Sequence, residues 1–152
     1  HMEEIDYHWK CYLAGFEVWV DPQAVLYHLG GATLSMGSPK KVYYNHRNSL
    51  ILLLSNYSAW RSFCYFILRL PLEIISSLKD LLSLRPLHFL NHYLALLWIL
   101  LNCPIILKRR KKIKSIKVQS NRDLFNDGLI SSFSLLIKYY LLNKKTYQKL
   151  YK

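Results

Sequence analysis

Three carboxylates stand within four residues at Glu3, Glu4 and Asp6, and His28 follows just ahead of Gly30-Gly31. A carboxylate can take a proton from an attacking hydroxyl, and an imidazole can hold a divalent ion. The glycine pair marks a turn, or a place where the backbone comes close to a ligand such as a phosphate. Acids in a first helical turn also complement the helix dipole, so spacing alone leaves the catalytic and the structural readings side by side. Trp9 offers an aromatic face to a sugar, while its four-residue spacing from Ile5 and Leu13 suits a helix core equally. Arg47 reads either as a phosphate contact or as a plain helix-surface cation.

Several elements must position these groups. Residues 3–14 read as a helix with acids in its first turn and Gly15 as its stop. Residues 16–20 and 24–28 read as strands around the Asp21-Pro22 turn. Ser38-Pro39 is an N-cap followed by a proline at the first helical position, opening a helix that runs through Arg47-Asn48 to residue 54. From Ser58 onward the chain is a succession of apolar helices. Within it Arg69, Glu73, Ser76 and Asp80 recur at helical spacing as a narrow polar stripe, opposite Ile67, Ile74, Ile75, Leu78, Leu81 and Leu82. The window 89–107 is the most hydrophobic, but Asn91, His92, Asn102 and Pro104 interrupt it, which makes it marginal as a span of roughly 20 apolar residues. Residues 118–128 read as a loop, and 129–141 as a last amphipathic helix. His8, His46, His88 and His92 have no setting that assigns them a role.

Charge is strongly segregated. Thirteen of the 21 Lys and Arg residues fall after residue 107, against two of the nine acids. The run 108–117, led by Lys108, Arg109, Arg110, Lys111 and Lys112, flanks an apolar helix in the manner of a segment held at an anionic leaflet. It lacks the interleaved aromatic rings on which bases stack, so nucleic acid is the weaker partner. Cys11, Cys64 and Cys103 have neither zinc spacing nor an even count, which argues for reduced thiols rather than a disulfide framework.

The stretches HMEEIDYHWK, LAGFEVWVDPQAVLYHLGGATLSMGSPKK and YYNHRNSLILLL, with a looser continuation to GLISSFSLLIKYYLLNKKTYQKL, resemble the C-terminal third of a bacterial family 2 glycosyltransferase. These are the inverting, GT-A-type enzymes, rhamnosyltransferase-like, of surface-polysaccharide synthesis. The resemblance implies an α/β fragment: residues 1–57 as the C-terminal edge of a GT-A domain, and 58–152 as a mostly α-helical, membrane-associating region. It implies transfer of a sugar, with inversion, from a nucleotide-sugar donor to a polyprenyl-linked glycan acceptor at the cytoplasmic face of the inner membrane, the chain sitting there peripherally or monotopically.

The family's base is usually the second acid of a Glu-Asp pair, so the resemblance gives that role to Glu4, with Glu3 and Asp6 beside it. Here the pair reads Glu3-Glu4, and Lys10 stands where an arginine is common. Trp9, Gly30, Gly31 and Arg47 become substrate contacts. His28, 24 residues after Glu4, becomes a ligand to Mn²⁺ or Mg²⁺ in a site completed by an upstream Asp-x-Asp that this sequence lacks. The alternative reading is a noncatalytic basic membrane-interaction module, and a nucleic-acid-binding protein ranks behind it.

Overall fold

The computed structural model describes residues 2–27, 34–35, 37–126, 134–140 and 142–146, and every regular element in them is a helix. The helices are α1 (Glu3–Leu13), α2 (Pro39–Asn56), α3 (Ala59–Leu82), α4 (Pro86–Leu101), α5 (Cys103–Ile116), α6 (Asn121–Asn126) and α7 (Ser134–Tyr140). The expected α/β fragment is therefore overturned, because no strand forms among the described residues. Residues 16–20 and 24–27 are irregular, with Phe16, Trp19, Val20, Val25, Leu26 and Tyr27 exposed. The physical reason is the lack of a neighbour: β-prone side chains make no strand unless another strand takes up their N–H and C=O groups. The turn between them does form, with Asp21 accepting from Gln23 N through Oδ1 at 2.9 Å and from Ala24 N through its carbonyl at 3.2 Å.

Helix ends follow local chemistry. At the C-terminus of α1, Gly15 takes φ +82°, letting Phe16 N bond Cys11 O at 2.9 Å and Gly15 N bond Tyr12 O at 3.0 Å. Ser38 caps α2, its Oγ accepting from Lys41 N, with Pro39 next in line. α3 ends in the same double bond pattern as α1, Arg85 N to Asp80 O and Leu84 N to Leu81 O, although its left-handed position is Leu84 at φ 56°. The apolar window 89–107 is split at Asn102, where α4 and α5 meet at 69°. No single helix among the described residues is long and apolar enough to cross a membrane. α6 occupies the expected loop. Ser120 and Asp123 start it with a reciprocal cap, Ser120 N to Asp123 Oδ2 at 2.7 Å and Asp123 N to Ser120 Oγ at 3.2 Å.

α2 lies along α4, with α3 and α5 packed against it. Leu50, Ile99 and Ile106 form the larger core, joined by Phe66, Leu96 and Trp98. A smaller cluster of Leu13, Ile113 and Leu124 ties α1 to α5 and α6.

The most consequential feature is the polarity of α3. Its polar residues point inward, with Glu73 2% and Ser77 0% exposed, while Ile67, Ile74, Ile75, Leu78 and Leu81 face outward. The buried polar side chains of α3, Ser62, Glu73 and Ser77, each have a partner, as burial requires. Ser62 Oγ donates to Leu53 O at 3.0 Å, and Ser77 Oγ bonds Ile74 O at 2.8 Å and Tyr93 Oη at 3.1 Å. On α4 the residues Leu90, Leu94, Leu97, Leu100 and Leu101 are exposed as well. Among the described residues α3 and α4 thus both carry outward apolar side chains.

Candidate functional site

Helix α1 presents its acids in two ways. Glu4 is exposed on the first turn, while Asp6 turns inward and is consumed by structure. Asp6 accepts from Lys10 one turn on, from Asn56 Nδ2 at 3.1 Å and from Arg109 Nη2 at 2.9 Å. Burial pushes this carboxyl up, but the bonds from Lys10 and Asn56 and the charges of Lys10 and Arg109 outweigh it and hold it below the usual range.

Glu3, Asp6, Arg47 and Arg109 line one cleft of about 300 Å³, together with Asn48 and Ile51. Four residues that the sequence offered for catalysis, substrate contact and membrane binding are thus drawn to one place by α1, α2 and α5. Arg47 is braced there by Asn48 Oδ1, at 3.0 Å from Nε and 2.9 Å from Nη2, and its guanidinium lies over Tyr43, Tyr44 and Trp98. A braced, planar cation of this kind suits a phosphate or carboxylate oxygen. Glu4 does not line the cleft. His28, Gly30 and Gly31 lie outside the described residues, so no step is built on a metal held there.

Trp9 packs away from solvent against the Leu13–Ile113–Leu124 cluster, edge-on to Tyr57 at 4.6 Å. Its buried Nε1 has no hydrogen-bond partner. That placement favours the core role of the two the spacing allowed.

The basic run divides by helical register. Arg109 binds Asp6, and Arg110 Nη1 binds Leu54 O and, at 3.0 Å, Ser62 Oγ, so both arginines are turned into the bundle. Lys108, Lys111, Lys112 and Lys114 remain exposed. Lys108, Lys111 and Lys114 border a groove of about 1010 Å³ that also contains Tyr57, Pro104 and Leu107. An apolar floor beside lysines fits an anionic headgroup with a greasy tail. Burial, and secondarily the neighbouring Tyr65, push the Tyr57 phenol up to about 12, so it stays a neutral hydrogen-bonding group in that groove.

Sequence reasoning missed a second constellation. His46 on α2, Glu73 on α3 and His92 on α4 meet inside the bundle, with His46 Nδ1 2.6 Å and His92 Nδ1 3.0 Å from the same Glu73 oxygen. Arg69 Nε holds the other Glu73 oxygen at 2.6 Å, and Asp80 lies 3.1 Å from His92 Nε2. Burial opposes charge on Glu73, but the bonds from both histidines and the Arg69 charge hold its carboxyl far below the ordinary value. For His92 burial pulls down, and the bonds to Glu73 and Asp80 carry it above the ordinary histidine value. The signal was the stripe Arg69–Glu73–Asp80, whose partners on α2 and α4 no local pattern reveals.

No known family, curated protein or solved structure matches this chain. The functional reading therefore rests on residue geometry and on the motif resemblance.

Proposed function

We propose that the chain supplies the acceptor side and membrane seat of a sugar transferase resembling family 2, which moves a sugar from a nucleotide-sugar to a lipid-linked glycan with inversion. Glu4 is the general base. An inverting transfer needs one carboxylate that can reach the acceptor hydroxyl while remaining free to accept its proton. Glu4 is exposed, whereas Asp6 is tied up by three donors. The observation that carries the reading is the convergence of Glu3, Asp6, Arg47 and Arg109 on one cleft at the first turn of α1, the turn that also bears an exposed Glu4. Arg47 offers charge to a phosphate of donor or carrier, and the lysine-bordered groove accommodates the diphosphate and first isoprenoid units of the acceptor. The likeness is carried by the motifs and not by a sheet. The donor site belongs to an Asp-x-Asp-bearing half that is not among these 152 residues.

The test is sugar transfer by these residues joined to an Asp-x-Asp-bearing donor half, in membranes from expressing cells, from a panel of nucleotide-sugars to polyprenyl-diphosphate-linked acceptors; the 152 residues alone should transfer none. Glu4→Gln should lower product formation by roughly 10²–10⁴-fold. Glu17→Gln, on the exposed segment, should leave it unchanged. Absence of transfer to any lipid-linked acceptor, or equal product from wild type and Glu4→Gln, overturns the proposal.

The second reading, a noncatalytic membrane-docking module, is favoured by the outward apolar faces of α3 and α4 beside the α5 lysines. It shares the membrane seat and predicts no sugar transfer.

A further inference from the structure

We infer that His46, Glu73 and His92 form a binding site for a zinc-type divalent ion that ties α2, α3 and α4 together. One ligand atom from each residue lies within 4.8 Å of the others, and the three come from three different helices. Two imidazoles and one carboxylate, with a fourth position left for water, are a recurrent donor set for Zn²⁺. This ion is distinct from the Mn²⁺ or Mg²⁺ that the resemblance associates with His28, which would ride on the donor diphosphate. The inference does not depend on the transferase reading.

Three features separate this cluster from an ordinary buried charge network. The first is how the second atoms are used. Asp80 takes His92 Nε2, leaving Nδ1 to face the cluster, and Arg69 takes Glu73 Oε1, leaving Oε2 to face it. Carboxylates on the far nitrogen of a ligating histidine orient the ring and raise its basicity. The second is that His46 Nδ1 and His92 Nδ1 converge on one Glu73 oxygen, at 2.6 and 3.0 Å. Ligand atoms from three helices aimed at one point are the arrangement a metal ion needs. The third is access: His46 is 19% exposed while Glu73 and His92 are almost fully buried, so an ion has a way in and a closed destination.

The geometry requires little movement. Tetrahedral bonds of roughly 2.1 Å place ligand atoms about 3.4 Å apart. The two measured separations, 2.6 and 3.0 Å, need to open by under about 1 Å, which side-chain rotation supplies. Electrostatics agrees. Glu73 and Asp80 outnumber Arg69 by one negative charge, and His46 and His92 stack at 3.9 Å between ring centroids, where two imidazolium ions would repel. That excess of acid over arginine makes the cluster attractive to a cation.

The experiment titrates Zn²⁺ into the chelator-treated full chain in detergent by calorimetry, with Co²⁺ as a spectroscopic probe of tetrahedral N/O coordination. One ion per chain should bind with micromolar or tighter Kd, and Zn²⁺ should raise the Tm. His46→Asn is the decisive variant, because His46 is the most exposed of the three and Arg69 and His92 still hold Glu73 without it, so the fold should survive, as helix content will report. It and His92→Asn should each weaken binding by at least about tenfold, and Asp80→Asn by roughly 10–100-fold. The double variant His8→Asn/His88→Asn should bind as wild type does. Failure of the folded wild-type chain to bind Zn²⁺ saturably overturns the inference. So does undiminished affinity in folded His46→Asn, or loss of binding in the His8/His88 variant.

Discussion

Arg109 reaches from α5 to Asp6 on α1, Nη2 to Oδ2 at 2.9 Å, and closes a loop of 103 residues with one charge-assisted bond. Lys10 and Asn56 share the same carboxylate, so Asp6 serves as the knot between the first helix and the rest of the bundle.

That knot gives stability a pH dependence. The folded carboxyl is held below its ordinary value of 3.8, so the stabilisation is fully present above that value in the unfolded chain. It is lost as pH falls through the lower folded pKa. Denaturant melts of wild type should therefore weaken on acidification below about pH 4 more than those of Asp6→Asn. At neutral pH Asp6→Asn should cost about 1 kcal/mol, the usual size for a partly exposed charged bond. Parallel acid profiles for the two proteins would show that the knot contributes nothing.

Within the acidic cluster, catalysis and stability should separate. Glu4→Gln should lower transfer without moving the melting curve. Asp6→Asn should move the curve and, once folded, retain most of its transfer. Glu3→Gln should alter substrate affinity by way of the cleft. Steady-state kinetics beside thermal melts reads all three, and a dead but stable Asp6→Asn enzyme would transfer the base assignment to Asp6.

Trp9→Phe removes a buried donor that has no acceptor and keeps an aromatic ring against Tyr57. Stability should change by less than about 1 kcal/mol and acceptor affinity should not change. A rise in KM for the acceptor of tenfold or more would give Trp9 back its sugar-stacking role.

Flotation with phosphatidylglycerol vesicles should recover the chain, and replacing Lys108, Lys111, Lys112 and Lys114 with Gln should weaken binding by about 1 kcal/mol per charge at low salt. The inward Arg109 and Arg110 are left intact, so the fold is preserved. A remainder resistant to salt should persist, because burial of the leucines of α3 and α4 is not screened by ions. Equal recovery with neutral and anionic vesicles would remove the charge from the account.

Leu84 sits at φ 56° and is 89% exposed, so its side chain contributes no packing to offset its left-handed backbone. Leu84→Gly should stabilise the chain by about 1 kcal/mol, raising the Tm by a few degrees. An unchanged or lower Tm would mean that Leu84 contacts lipid or another part of the assembly.

The sequence made the helix ends legible because their chemistry is local: Gly15, Ser38-Pro39 and the acids of α1 act within one turn of themselves. The Ser120/Asp123 cap was equally local but stood in a polar stretch that looked like a loop. The strands at 16–20 and 24–28 were misread because pairing is not a local property. Composition cannot supply the missing neighbour. The stripe on α3 was visible, yet its direction was not, since a stripe faces water or interior according to partners on other helices. His46 and His92 decided that direction, and alone neither had any distinguishing context.

Pro71 lies inside α3 and removes the amide that would bond Ile67 O. The helix thus has two separately fastened halves: Ser62 with Arg110 secures the first, and Glu73 with Ser77 the second. The Arg69–Glu73 ion pair, Nε to Oε1 at 2.6 Å, spans that break. A side chain thus does across Pro71 what the backbone cannot, tying the half that carries Glu73 to the half that carries Ser62.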